Sequence, residues 1–127
     1  MSLEAGVLLD AQGRPLYWHL PPNRTGGSLP DSRDLWEVFW ENRNLLSGFA
    51  HSHPMGMACP SHMDLTTFAA IEAALGRRLD WWIITESHLI LTRWVGKGEL
   101  SYKSLPVSQR PEWFAELLKH SNYNNQM

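Results

Sequence analysis

With 127 residues, 43% of them hydrophobic and 19% charged, the chain has the size and apolar content of one ordinary folded domain, taken to span residues 1–127, and is too apolar for a disordered tail. A formal net charge of -2 supplies no basic field, so partners held by bulk charge are excluded: neither nucleic acid nor an acidic membrane surface is expected. The single cysteine, Cys59, excludes an intramolecular disulfide and fits a reducing, cytoplasmic setting.

At the N-terminus, Met1-Ser2-Leu3 has the look of an added leader, with neither the basic patch nor the cleavage pattern of a signal peptide. No apolar run approaches the roughly 18 residues that a membrane span requires. Two short apolar runs, Gly6 to Asp10 and Pro15 to His19, flank Ala11-Gln12-Gly13-Arg14 and predict a β-hairpin with Gly13 in the turn. The stretch Leu20 to Pro30, rich in Pro, Gly, Asn and Ser, reads as a long loop. A helix follows, capped by Asp31 or Ser32, with Leu35, Trp36, Phe39 and Trp40 as a core stripe and Asp34, Glu37 and Glu41 facing water.

The apolar stretch Leu45 to Ala50 runs as a strand into His51-Ser52-His53, and Pro54 stops it. Beyond the loop Met55 to Pro60, Ser61 opens a second helix whose apolar face is Leu65, Phe68, Ala69, Ile71 and Leu75, closed by Gly76. Trp81 to Thr85 and Leu89 to Trp94 read as buried strands joined by Glu86-Ser87-His88, with an edge strand near Leu100 to Ser104. A last helix, Glu112 to His120, packs Trp113, Phe114, Leu117 and Leu118. The expected class is α+β. Seven tryptophans in so short a chain suggest an interface as well as a core.

The chemistry concentrates at the end of the third strand. In a strand, residues i and i+2 share a face about 6.5 Å apart, so His51 and His53 can converge on one ion. Asp64, in the first turn of the following helix, is placed to return a carboxylate to the same point. Two imidazoles and one carboxylate make a catalytic zinc set, which leaves a coordination position for a water whose pKa falls to about 7. Each piece has a plainer reading as well: two unrelated histidines, and a Ser61-x-x-Asp64 helix-capping pattern.

Taken together, His51-x-His53, seven residues, then Ser61-x-x-Asp64 resembles the JAMM motif of the MPN+ zinc metalloproteases in letters and in spacing. Gly48-Phe49-Ala50, Pro54, Pro60 and the aromatic-rich strand at Trp81 to Ile84 agree with it, and the resemblance spans roughly Leu45 to Trp94. It implies a cytidine-deaminase-like MPN fold, an α/β/α arrangement with a mixed curved sheet flanked by helices. It implies zinc-dependent hydrolysis of a peptide or isopeptide bond in a protein substrate, such as one next to the C-terminus of a ubiquitin-like or sulfur-carrier protein. On that scheme His51, His53 and Asp64 bind zinc, Ser61 stabilises the oxyanion, and an upstream glutamate moves the proton. Glu4, just ahead of the first strand, matches the family's placement; Glu37 and Glu41 lie one turn apart on a helix face that reads as solvated.

A base so near the terminus needs anchoring to work. His62 is expected to line the cleft without ligating, Cys59 to be a bystander in the adjoining loop, and His19, His88 and His120 to be surface or core residues. A zinc nucleobase deaminase is excluded, since the H-x-E and P-C-x-x-C pair it requires is missing. The alternative to a hydrolase is an inactive binding or assembly module that keeps the fold. Specificity is expected in the loops Leu20 to Pro30 and Met55 to Cys59.

Overall fold

The computed structural model describes residues 2–122; Met1, the first residue of the suspected leader, lies outside them. In chain order the elements are β1 (Gly6–Asp10), β2 (Pro15–His19), α1 (Arg33–Glu41), β3 (Leu46–Ser52), α2 (His62–Leu75), β4 (Asp80–Ile84), β5 (Leu89–Trp94), β6 (Tyr102–Pro106) and α3 (Glu112–His120). The strands form one six-stranded mixed sheet in the order β2-β1-β3-β4-β5-β6, so the class is α+β as expected. All neighbours are antiparallel except β3 and β4, which run parallel because α2 carries the chain back across the sheet.

Alternation along the strands divides the core in two. Val7, Leu9, Ala50, Ile84 and Leu89 point to the face covered by Trp113, Phe114 and Leu117 of α3. Leu8, Phe49 and Trp81 point to the opposite face, under Leu35 and Phe39 of α1 and Phe68 and Ile71 of α2. Helices therefore cover both faces of the sheet. His51 and His53 have the same parity as Phe49, which turns them to the α1 and α2 side.

The helix and turn signals act as the sequence suggests. Gly13 takes φ 77° in the hairpin turn, and Gly76 takes φ 69° where α2 ends, conformations that cost glycine little. Ser32, rather than Asp31, caps α1 by accepting from Leu35 N at 3.1 Å, while Asp31 accepts from the Trp36 indole at 3.0 Å. Gly48 has a different purpose: a Cβ there would lie 2.0 Å from the Asp80 carbonyl oxygen, so the close parallel pairing of β3 with β4 requires its absence.

Two expectations need correction. The aromatic stripe of α1 is only half core: Leu35 and Phe39 are buried, but Trp40 is 54% exposed and stacks beneath the Arg43 guanidinium at 4.0 Å. Trp36 is half-buried and packs against the same core cluster. The edge strand begins at Tyr102, two residues later than expected, because Ser101 closes the preceding turn through its contacts with Gly98.

The buried acid Glu72 on α2 went unnoticed in the sequence. Only 3% exposed, it accepts from Leu79 N at 2.8 Å, the Trp81 indole at 2.9 Å, Arg78 Nη1 at 3.0 Å and the Tyr102 hydroxyl. Burial, and then the Glu72 carboxylate, hold the Tyr102 phenol above its ordinary value of 10.0. A proton bound more tightly in the folded than in the unfolded chain gives stability that is complete below pH 10 and is lost as pH rises through the higher folded value. Urea unfolding at about pH 8 and about pH 11 is therefore expected to show a larger alkaline loss in the wild type than in Tyr102→Phe. Equal losses would mean that the hydroxyl contributes nothing to the alkaline limit.

Candidate metal centre

The site forms where β3 ends and α2 begins, outside the carboxyl end of a parallel strand pair, where open sheets with crossover helices leave a crevice. Backbone pairing extends past the formal end of β3, with His53 N donating to Ile84 O at 2.9 Å, so both histidines are set by the sheet. His51 Nε2 and His53 Nε2 stand 2.8 Å apart. The Asp64 carboxylate closes on the pair, Oδ1 3.5 Å from His51 Nε2 and Oδ2 3.2 Å from His53 Nε2.

Asp64 is itself fixed by a reciprocal capping box. Its N–H donates to Ser61 Oγ at 3.0 Å, and its Oδ2 accepts from Ser61 N at 2.9 Å. The capping pattern and the ligand pattern are thus one arrangement: the cap aims the carboxylate. Ser61 Oγ uses a lone pair as cap acceptor and keeps its hydroxyl proton free to donate.

Glu4 completes the cluster. Its carboxylate and the ring nitrogens of His51 and His53 lie within 4.8 Å of one another. The anchoring such a residue needs is present in the backbone on both sides. Leu3 N donates to Ser121 O at 3.0 Å, Glu4 N to Thr25 O at 2.7 Å, and Ala5 N to Ser52 Oγ at 3.0 Å. Arg24 Nη1 also donates to Glu4 O at 3.0 Å and to His120 O at 2.9 Å. The segment before β1 is therefore tied to the 20–30 loop, to β3 and to the end of α3, and Glu4 is only 8% exposed. By contrast Glu37 faces solvent, paired with Arg33 at 2.9 Å, and Glu41 is exposed.

The titration behaviour follows from this packing. Burial, partly offset by the His53 charge and reinforced by Asp64, raises Glu4 to about 7. Burial lowers His51 despite its bond to Asp64. For His53 burial works downward, but the Asp64 bond, the Met57 carbonyl and the charges of Asp64 and Glu4 outweigh it and raise the ring. Burial also disfavours the Asp64 anion, yet bonds from both histidines hold its carboxyl well below the usual carboxylate range.

This donor set fits a zinc ion. Two imidazole nitrogens and a carboxylate held well below its usual range face one point. His53 Nδ1 donates to Met57 O at 3.0 Å, so that whenever the ring is neutral its Nε2 lone pair faces that point, the outer bond by which metal-binding histidines are oriented.

The cluster opens into a cavity of about 510 Å³ that is bordered by both loops expected to carry specificity, through Gly26 to Leu29 and Met55 to Cys59. Ser61 and Cys59 line it too. His62 does not: as the first residue of α2 it is exposed and turned away, contrary to expectation. His19, expected as a surface or core histidine, is buried, 2% exposed, with Nε2 at 2.6 Å from Pro30 O, and it also borders the cavity. Burial lowers its pKa. Its position on a hairpin strand gave no hint, since only the return of the 20–30 loop brings it there. No protein-family model and no curated protein matches the chain.

Proposed function

We propose that the chain is a zinc-dependent metallopeptidase or isopeptidase of the JAMM kind on an MPN-type fold. The observation that carries this reading is the convergence of His51, His53 and Asp64 on one point with Glu4 beside it, at the mouth of a cavity. His51, His53 and Asp64 would hold the ion. Bound zinc would supply Lewis acidity and make water acidic enough to yield a nucleophile near neutral pH.

The chain's own residues do the rest. Glu4, at about 7 and with no hydrogen bond from a described residue on its carboxylate, accepts a proton from the attacking water and delivers it to the leaving nitrogen. Ser61 Oγ–H faces the same space and donates to the carbonyl oxygen as its charge develops. His53, oriented by Met57 O, and Asp64, oriented by the cap, keep their ligand atoms in place without rearrangement. The substrate is a peptide or isopeptide, with the C-terminus of a ubiquitin-like or sulfur-carrier protein as the class that the motif brings with it. No described helix is long and apolar enough to cross a membrane.

The reading is tested by metal analysis. Purified chain is expected to retain one zinc, and His51→Ala to weaken zinc binding by more than roughly 100-fold in competition with a chelating dye, since even residues that only orient ligands are worth 10–100-fold. Absence of zinc from the wild type, together with unchanged peptide hydrolysis in His51→Ala, would sink it.

A further inference from the structure

Proton transfer and metal binding use only one end of the cavity. Beside the cluster the cavity touches the edges of buried Leu35, Phe49 and Ile71, while its exposed apolar wall is formed by Met55, Met57 and Met63. Folded interiors are close-packed and rarely leave voids much larger than a water molecule. At about 510 Å³ this one belongs with pockets that enclose whole ligands, roughly 300–1,000 Å³. Most of the surface it exposes is apolar, so an apolar occupant gains dispersion contacts there.

Size and polarity together select the occupant. A glycine or alanine beside the reacting bond would leave nearly all of this space empty, and a charged side chain would meet mostly hydrocarbon. An aromatic or branched aliphatic side chain would fill it while its backbone stays at the polar end, beside Glu4, His51 and His53. The mouth is consistent with this: Met55 and Met63 are 79% and 76% exposed at its rim, flexible thioethers that can fold over apolar surface of varied shape.

We propose, resting on the hydrolase reading above, that the substrate carries a bulky apolar side chain next to the scissile bond and that this cavity is the pocket that receives it. The pocket is a specificity site that discriminates against small residues at that position.

Binding is measurable without turnover. Calorimetric titration of the zinc-loaded chain with N-acetyl-phenylalaninamide, N-acetyl-leucinamide and N-acetyl-glycinamide is expected to show the first two binding roughly tenfold or more tighter than the third, the scale set by burying one large apolar side chain. Ile71→Trp and Leu29→Trp fill the cavity from a helix and from a loop, and each is expected to abolish the preference with zinc content unchanged. Two variants on different elements guard against one failing to fold. In peptide pools varied on both sides of the bond, hydrolysis is expected to favour Phe and Leu over Gly by a similar factor at one side. Equal binding of the three amides, or a preference that survives in both filled variants, overturns the pocket while leaving zinc binding and hydrolysis intact. A preference erased by filling, in a chain that binds no zinc, supports the pocket and defeats the hydrolase reading instead.

Discussion

Glu4→Gln is expected to lower kcat/KM for peptide hydrolysis by about 10²- to 10⁴-fold while leaving zinc content and affinity close to wild type. Two carboxylates flank the histidine pair, and their surroundings assign them different tasks. Asp64 is committed: its oxygens serve the capping box and both imidazoles, and those bonds hold its carboxyl well below the usual carboxylate range. Glu4 is uncommitted. No described donor holds its carboxylate, and burial leaves it at about 7, where a group can both take and give a proton at neutral pH. Gln keeps the size and removes only the proton chemistry. Asp64→Asn should show the opposite pattern, with zinc lost first and activity following it. Were Glu4→Gln to release the ion, Glu4 would be a ligand and the base would have to be sought elsewhere. Unchanged turnover with zinc retained would instead favour the assembly-module reading.

The candidate cluster could be read from the sequence because it is local. His51 and His53 depend only on strand alternation, and Asp64 on its place three residues after the cap Ser61, so short-range geometry fixes all three directions. The elements were legible for the same reason, since hairpin turn, caps and breakers each act within a few residues; β1, β2, β5 and α3 fall where the pattern puts them. Glu4 was legible only through family resemblance. What holds it, the bonds to Thr25, Ser52 and Ser121, spans up to 118 positions along the chain and leaves no local pattern. The same is true of His19, brought to the cavity by a loop without periodicity, and of the cavity itself, whose walls read as ordinary core stripes. Whether apolar stripes meet or leave room between them is a property of packing, invisible to periodicity.

Glu72→Ala is expected to destabilise the fold by about 3–5 kcal/mol, the usual cost of removing one partner from a buried, hydrogen-bonded charge cluster. The carboxylate is the common acceptor for Leu79 N, the Trp81 indole, the Tyr102 hydroxyl and Arg78, drawn from the link between α2 and β4, from β4 itself and from β6. Truncation leaves two N–H groups and a hydroxyl buried or half-buried without their acceptor, each costing roughly 1–3 kcal/mol. Against a total of 5–15 kcal/mol for a typical domain the loss is large, and a fall in Tm of roughly 10–20 °C should follow. The effect should reach the site. Glu72 fixes the Trp81 indole, Trp81 stacks on Phe68 at 4.3 Å, and Phe68 sets its edge against His51 at 6.3 Å between ring centroids. Thermal unfolding of Glu72→Ala, Glu72→Gln and the surface control Glu37→Ala separates the causes. Gln keeps one acceptor but turns an amide N–H₂ toward donors, so it should fall between Ala and wild type, and the Glu37 variant should lie within about 0.5 kcal/mol of wild type. If Glu72→Ala unfolds like the surface control, the four donors have other acceptors and the carboxylate does not knit α2 to the sheet. If its Tm falls as expected, zinc affinity measured well below that Tm will show how much of the order at His51 depends on the aromatic stack above it.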